Sequence, residues 1–180
     1  MTPTRITLML RLELQPYPWS CLASSMAMVL GLATEEFHRL AGHDGSEIVF
    51  PWLPEPQRRR GFHIQEAVHV ARKLKYSMSP FELVPVVAPT AQNPDGYGDG
   101  SVLVQYGAGG TGGNWDIFLE LISNSEGIIE CQTHTSMHAV AYHYGYIFNP
   151  KGEVYPYSRR DCEMRSLFTQ RLWQIAKCPS

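Results

Sequence analysis

The sequence predicts an α+β fold, with helices in its first half and an antiparallel run of strands in its second. Three observations carry this. The run CLASSMAMVL at 21–30 is apolar or small throughout and free of Gly and Pro, the composition of a buried helix. IQEAVHVARKL places Ile64, Ala67, Val68, Ala71 and Leu74 at helical spacing, so it predicts an amphipathic helix. Beyond residue 126, the short runs GIIECQT, MHAVAYH, GYIFN and EVYPY are separated by turn-like pairs, Tyr144-Gly145 and Lys151-Gly152.

The remaining elements follow in order. The N-terminal stretch alternates apolar residues with Arg5, Arg11 and Glu13, which predicts a strand over about 5–14. QPYPWS, with two prolines, is extended and delays the first helix until Ser20, its expected N-cap; Gly31 ends it. TEEFHRLAG predicts a short helix capped by Thr34 and ended by Gly42. A loop with Pro51, Pro54 and Pro56 follows. FELVPVVAP predicts a strand that Pro85 pushes to a sheet edge. Residues 89–113 are Gly-rich around a short strand, SVLVQY, before a helix from about Asn114 through WDIFLELIS. A short helix near 161–169 and a strand or helix at 171–177 close the chain. At 180 residues, without repeats, the chain is expected to form a single domain over 1–180.

Composition excludes several functions. The formal net charge is −2, so there is no electrostatic case for nucleic acid or for an anionic membrane. The only basic run is Arg58–Arg60, read as a solvated loop. No apolar stretch approaches the ~20 residues that span a bilayer. The N-terminus lacks an uninterrupted apolar region and a small-residue cleavage site, which favours the cytoplasm. Specialised secretion or release from a virion leaves the same trace. The four cysteines, at 21, 131, 162 and 178, form no CxxC and read as reduced thiols.

One of those thiols is placed for chemistry. Cys21 opens the first helix, where unpaired N–H groups and the positive end of the macrodipole favour thiolate. Gln15, six residues earlier, has an amide that can reach over the helix start and join the Cys21 N–H in binding an oxyanion. His138 opens the apolar run MHAVAYH and can present an imidazole across the interface. A turn at Tyr144-Gly145 folds the run containing Asn149 back beside it. Asn149 can then accept from one ring nitrogen and leave the other facing Cys21. Each residue taken alone has a blander reading: a buried thiol, a Gln before Pro, a core histidine, an Asn-Pro turn.

In combination, QPYPWSCLASSMAMVLGL resembles the nucleophile block of papain-like cysteine peptidases, and looks most like stand-alone relatives of the bacteriocin-processing double-glycine peptidases. GIIECQTHTSMHAVAYHYGYIFNP is similar to that family's second block, a His-led strand followed by one ending in Asp-Pro or Asn-Pro. The resemblance implies a papain-like fold, with a helical part carrying the Cys packed on an antiparallel sheet carrying the His and Asn. It implies a nucleophile at Cys21, a base at His138, an orienter at Asn149 and an oxyanion donor at Gln15. Asn149 stands where the family commonly has Asp, and Leu22 where it often has Gly or Trp. The implied activity is cleavage of a peptide or isopeptide bond in a peptide or protein substrate through a thioester, with no cofactor.

Competing readings remain. The same fold without catalysis would be a peptide- or protein-binding module. The same triad serves amidases, deamidases and transglutaminases, which share the thioester. Cys131, His134, His138 and His143 have a spacing that suggests zinc, but on one strand His138 and His143 point to opposite faces, so no metal is expected. The glycines at 107–113 lack the Gly-Lys-Ser/Thr ending of a phosphate loop. Asp44, Glu47 and Asp95 lack calcium-loop spacing.

Overall fold

The computed structural model describes residues 10–82, 112–134 and 136–179. Its elements are α1 (Cys21–Leu30), α2 (Thr34–Ala41), α3 (Ile64–Lys73), β1 (Tyr76–Glu82), α4 (Gly112–Asn124), β2 (Glu126–Gln132), β3 (Met137–His143), β4 (Tyr146–Asn149), β5 (Glu153–Pro156), α5 (Arg159–Met164) and β6 (Phe168–Lys177). The six strands form one sheet in the order β1-β6-β2-β3-β4-β5, antiparallel at every step. The fold is α+β, with the N-terminal helices packed on this sheet in a loosely papain-like arrangement. No helix among the described residues is long and apolar enough to cross a membrane.

Strand alternation sends successive side chains to opposite faces, and here both faces are covered. Ile128, Ala139, Ala141 and Phe148 pack against Met26 and Ala27 of α1, with Phe37 of α2 and Val70 of α3 beyond. Ile129, Val140, Tyr142 and Ile147 pack against Phe118 and Ile122 of α4. Residues 22–30 of α1 are all buried, which is why its sequence carries no charge. The strands therefore read as continuous apolar runs rather than alternating ones.

Several expectations change. Residues 10–15 form no strand, and 1–9 lie outside the described residues. Ser20 holds the N-cap position of α1 without a capping bond from its side chain. Thr34 is the first residue of α2, not its cap; its buried hydroxyl donates to Ser24 Oγ at 3.1 Å, joining α2 to α1. The edge strand begins earlier than expected, at Tyr76, and carries Pro80. Pro85 and SVLVQY lie outside the described residues. The meander holds from β2 to β5, but β6 returns to the far side of β2 and β1 lies outside it. Residues 171–177 are strand, within β6.

Candidate active site

Cys21 is placed by the register between α1 and β3. Ser25 lies four residues on, hence on the same helical face. Its hydroxyl donates to the Ala139 carbonyl at 3.0 Å, inside the core. That bond fixes α1 against the residue that follows His138. Cys21 is half-buried and packs at the margin of the α1 core. Burial pushes its thiol pKa up; the Ala139 and Leu22 amides and the Lys151 ammonium act the other way without reversing it. The thiolate expected of a helix start is thus not the favoured resting form. A partial charge at a helix end does not outweigh the desolvation of the sulfur.

His138 and Asn149 are placed by the hairpin of β3 and β4. Ala141 pairs with Phe148 and Tyr142 with Ile147, so continuing the register sets Val140 beside Asn149. His138, two residues before Val140, is then a diagonal neighbour of Asn149 on the same face. His138 Nε2 lies 3.0 Å from Asn149 Oδ1, with both residues buried. The direction of this bond follows from the other contacts of the amide. Asn149 Nδ2 donates to Glu153 Oε2 at 3.1 Å, and Asn149 Oδ1 accepts from the Lys151 N–H at 3.2 Å. The oxygen therefore faces His138, and Nε2 must carry the proton. In the neutral ring, Nδ1 is then the free base. Burial pulls the His138 pKa down, with the Lys151 charge adding to the effect and the Asn149 bond opposing it.

Glu153 and Lys151 were not singled out in the sequence. The signal for Glu153 lay in the Lys151-Gly152 turn. Gly152 has φ 107°, a conformation suited to glycine, and the turn pairs Asn149 directly with Glu153. Glu153 is further held by Arg165, Nε to Oε1 3.4 Å.

Gln15 approaches from the other side. Its backbone N–H donates to the Pro150 carbonyl at 2.9 Å, which ties the segment before α1 to the residue after Asn149. Its side-chain Nε2 donates to the Tyr17 carbonyl at 3.2 Å, and its Oε1 is buried without a partner. The Tyr17 carbonyl also accepts from the Ser20 N–H, 3.0 Å, so this turn shapes the entry to α1. Tyr17 stacks on Trp19, and Arg59 lies over the Trp19 ring.

Two cavities meet at His138. The larger, about 550 Å³, is lined by Cys21, Trp19, Phe62, Ile64 and Ala139 as well as His138. The smaller, about 340 Å³, is lined by Gln15, His134, Lys151 and Arg165 as well as His138. Cys21 and His138 therefore share one cavity, and Gln15 and His138 share its neighbour. Elsewhere, His143 is engaged by Glu126, Nδ1 to Oε2 2.9 Å. Cys131 and Cys162 are buried, and burial pushes the Cys162 thiol up to about 11. No protein-family model and no curated protein matches the chain.

Proposed function

We propose that the protein is a papain-like cysteine hydrolase that cleaves a peptide or isopeptide bond through a thioester on Cys21. The observation that carries this is the buried hydrogen bond from His138 Nε2 to Asn149 Oδ1, which leaves Nδ1 unprotonated, in a residue that lines one cavity together with Cys21. The thiol pKa lies above its ordinary value and the imidazole pKa below. The resting pair is thus neutral, and the proton moves during attack. The Cys21 sulfur bonds to the carbonyl carbon as its proton passes to His138 Nδ1. Gln15 and the Cys21 N–H stabilise the oxyanion. The C–N bond then breaks, and His138 returns the proton to the leaving amine. Water, activated by the same nitrogen, hydrolyses the thioester and restores the thiol. An amine in place of water gives the transferase variant of the same chemistry.

The test uses p-nitrophenyl acetate as an activated acyl donor. The expected result is a burst of p-nitrophenol equal to the enzyme, with an acetyl group on Cys21 by mass spectrometry. A burst that persists in Cys21→Ala removes the proposal. The raised thiol pKa favours a second reading, a silent peptide-binding module. That reading predicts no burst and alkylation of Cys21 at a rate independent of His138.

A further inference from the structure

The smaller cavity at His138 has a basic lining. Lys151 and Arg165 both line it, His134 adds a third nitrogen-bearing side chain, and no Asp or Glu is among its described lining residues. Arg165 is held in place rather than free to swing. Its Nη1 donates to the Asp161 carbonyl at 3.0 Å, its Nε faces Glu153, and its Cζ lies 4.1 Å from the centre of the Tyr155 ring. Lys151 is exposed and makes no ion pair among the described residues. Its ammonium is close enough to lower the pKa of both Cys21 and His138. A fixed guanidinium and an unpaired ammonium lining one cavity form a site for an anion. At about 340 Å³ the cavity is at the small end of the ~300–1,000 Å³ range of ligand sites.

Its place along the reaction follows from the two neighbours. The acyl group is carried on Cys21, so it occupies the larger cavity that Cys21 lines. The leaving amine collects its proton from His138, which lines both. The smaller cavity, which Cys21 does not line, is where that amine departs. We infer that the Lys151–Arg165 cavity binds the leaving side of the substrate and selects amines that carry a carboxylate near the scissile amide. This rests on the assignment of Cys21 and His138 as nucleophile and base. The substrate class is then an acyl-amino acid, or a short peptide whose carboxylate lies close to the bond cut.

The probes are iodoacetate and iodoacetamide, which differ by a carboxylate against an amide. Their rates on Cys21 are compared as a ratio, with the exposed Cys178 as an internal reference for their intrinsic reactivity. Cys21 is expected to favour iodoacetate over this reference by several-fold at low salt. The preference should shrink toward that of Cys178 in Lys151→Gln, in Arg165→Gln and in 0.5 M salt, about where the screening length falls to a few Å. A ratio equal to that of Cys178 and unmoved by either substitution, with Cys21 labelling still dependent on His138, overturns the anion site and leaves the hydrolase standing. Labelling of Cys21 that does not depend on His138 overturns both.

Discussion

The two halves of the site are built by opposite means. On the sheet side, His138 is set by a chain of polar contacts: Asn149, then Glu153, then Arg165, with the Lys151 N–H on the same amide oxygen. On the helix side, Cys21 is set by packing, with one hydrogen bond from Ser25 to Ala139 fixing the helix against β3. The polar chain dictates a tautomer. The packed side dictates a protonation state, because burial favours the neutral thiol. The difference teaches that orientation and protonation are set separately. The sheet supplies an imidazole with its lone pair on Nδ1, and the helix supplies a thiol that burial keeps protonated.

The largest effect should come from breaking either half at its reacting atom. Cys21→Ala should abolish acylation and leave the melting temperature within a few degrees, because Ala suits a helix start among small residues. His138→Ala should slow acylation by ~10²–10⁴, the usual weight of a positioned acid–base group. It leaves no orphaned oxygen, since Asn149 Oδ1 keeps the Lys151 N–H. Gln15→Ala should cost ~10²–10³ in acylation, the weight of one oxyanion donor. Burst amplitudes and rates, with thermal melts alongside, check the series. Were Gln15→Ala to match Cys21→Ala while still folded, Gln15 would belong to the scaffold rather than to the oxyanion site.

A smaller effect separates the thiols by burial alone. Cys131 and Cys162 are buried, with thiols raised by that burial. Iodoacetamide at pH 8 should therefore modify Cys21 and Cys178 in the native protein, and all four only after denaturation. Peptide mapping reads the outcome. Modification of Cys131 as fast as Cys178 would mean that the sheet opens on the labelling timescale, and packing could not then hold Cys21 in place.

Much of this was legible in the residues, and the rest failed for identifiable reasons. α1 and the strands from β2 to β5 were readable because apolar runs and turn residues are local signals. So was the pairing of the runs carrying His138 and Asn149, which needs only the Tyr144-Gly145 turn. The placement of β1 and β6 beyond β2 was not readable, because non-local pairing leaves no mark in a single strand. Ser20 and Thr34 misled because hydroxyls suit caps in general, whereas Thr34 is taken up by Ser24. The thiolate at Cys21 was argued from the helix end, while the opposing desolvation depends on α1 and β3 closing over it. Glu153 was within reach, since a turn at Lys151-Gly152 fixes its partner, but the significance of the pair depends on knowing that Asn149 faces His138.

The smallest and most discriminating effect lies in the pH profile of Asn149→Asp. A carboxylate beside an imidazole favours its protonated form, which would raise the His138 pKa. In the parent protein that pKa is lowered, so the acid limb of acylation should sit below the ordinary value of about 6.5. The same shift sets a stability term: the contribution of a neutral, buried His138 is complete above about pH 6.5 and is lost as pH falls through its lower folded pKa. Asn149→Asp alone should move the limb little, because Glu153 Oε2 sits 3.1 Å from the amide nitrogen. Two carboxylates there would share a proton near neutrality, and the new group would not be fully charged. Adding Glu153→Gln replaces the repelling carboxylate with an amide that can donate. The double variant should move the acid limb upward by on the order of one pH unit. Where that shift carries the folded pKa above about 6.5, the stability term changes sign, being present below about pH 6.5 and lost as pH rises through the raised folded pKa. Acylation rates from pH 4 to 9, with melts at each pH, report both. An acid limb at one pH in the parent, the single and the double variant would mean that Asn149 does not speak to the base, and the sheet half of the comparison would fall.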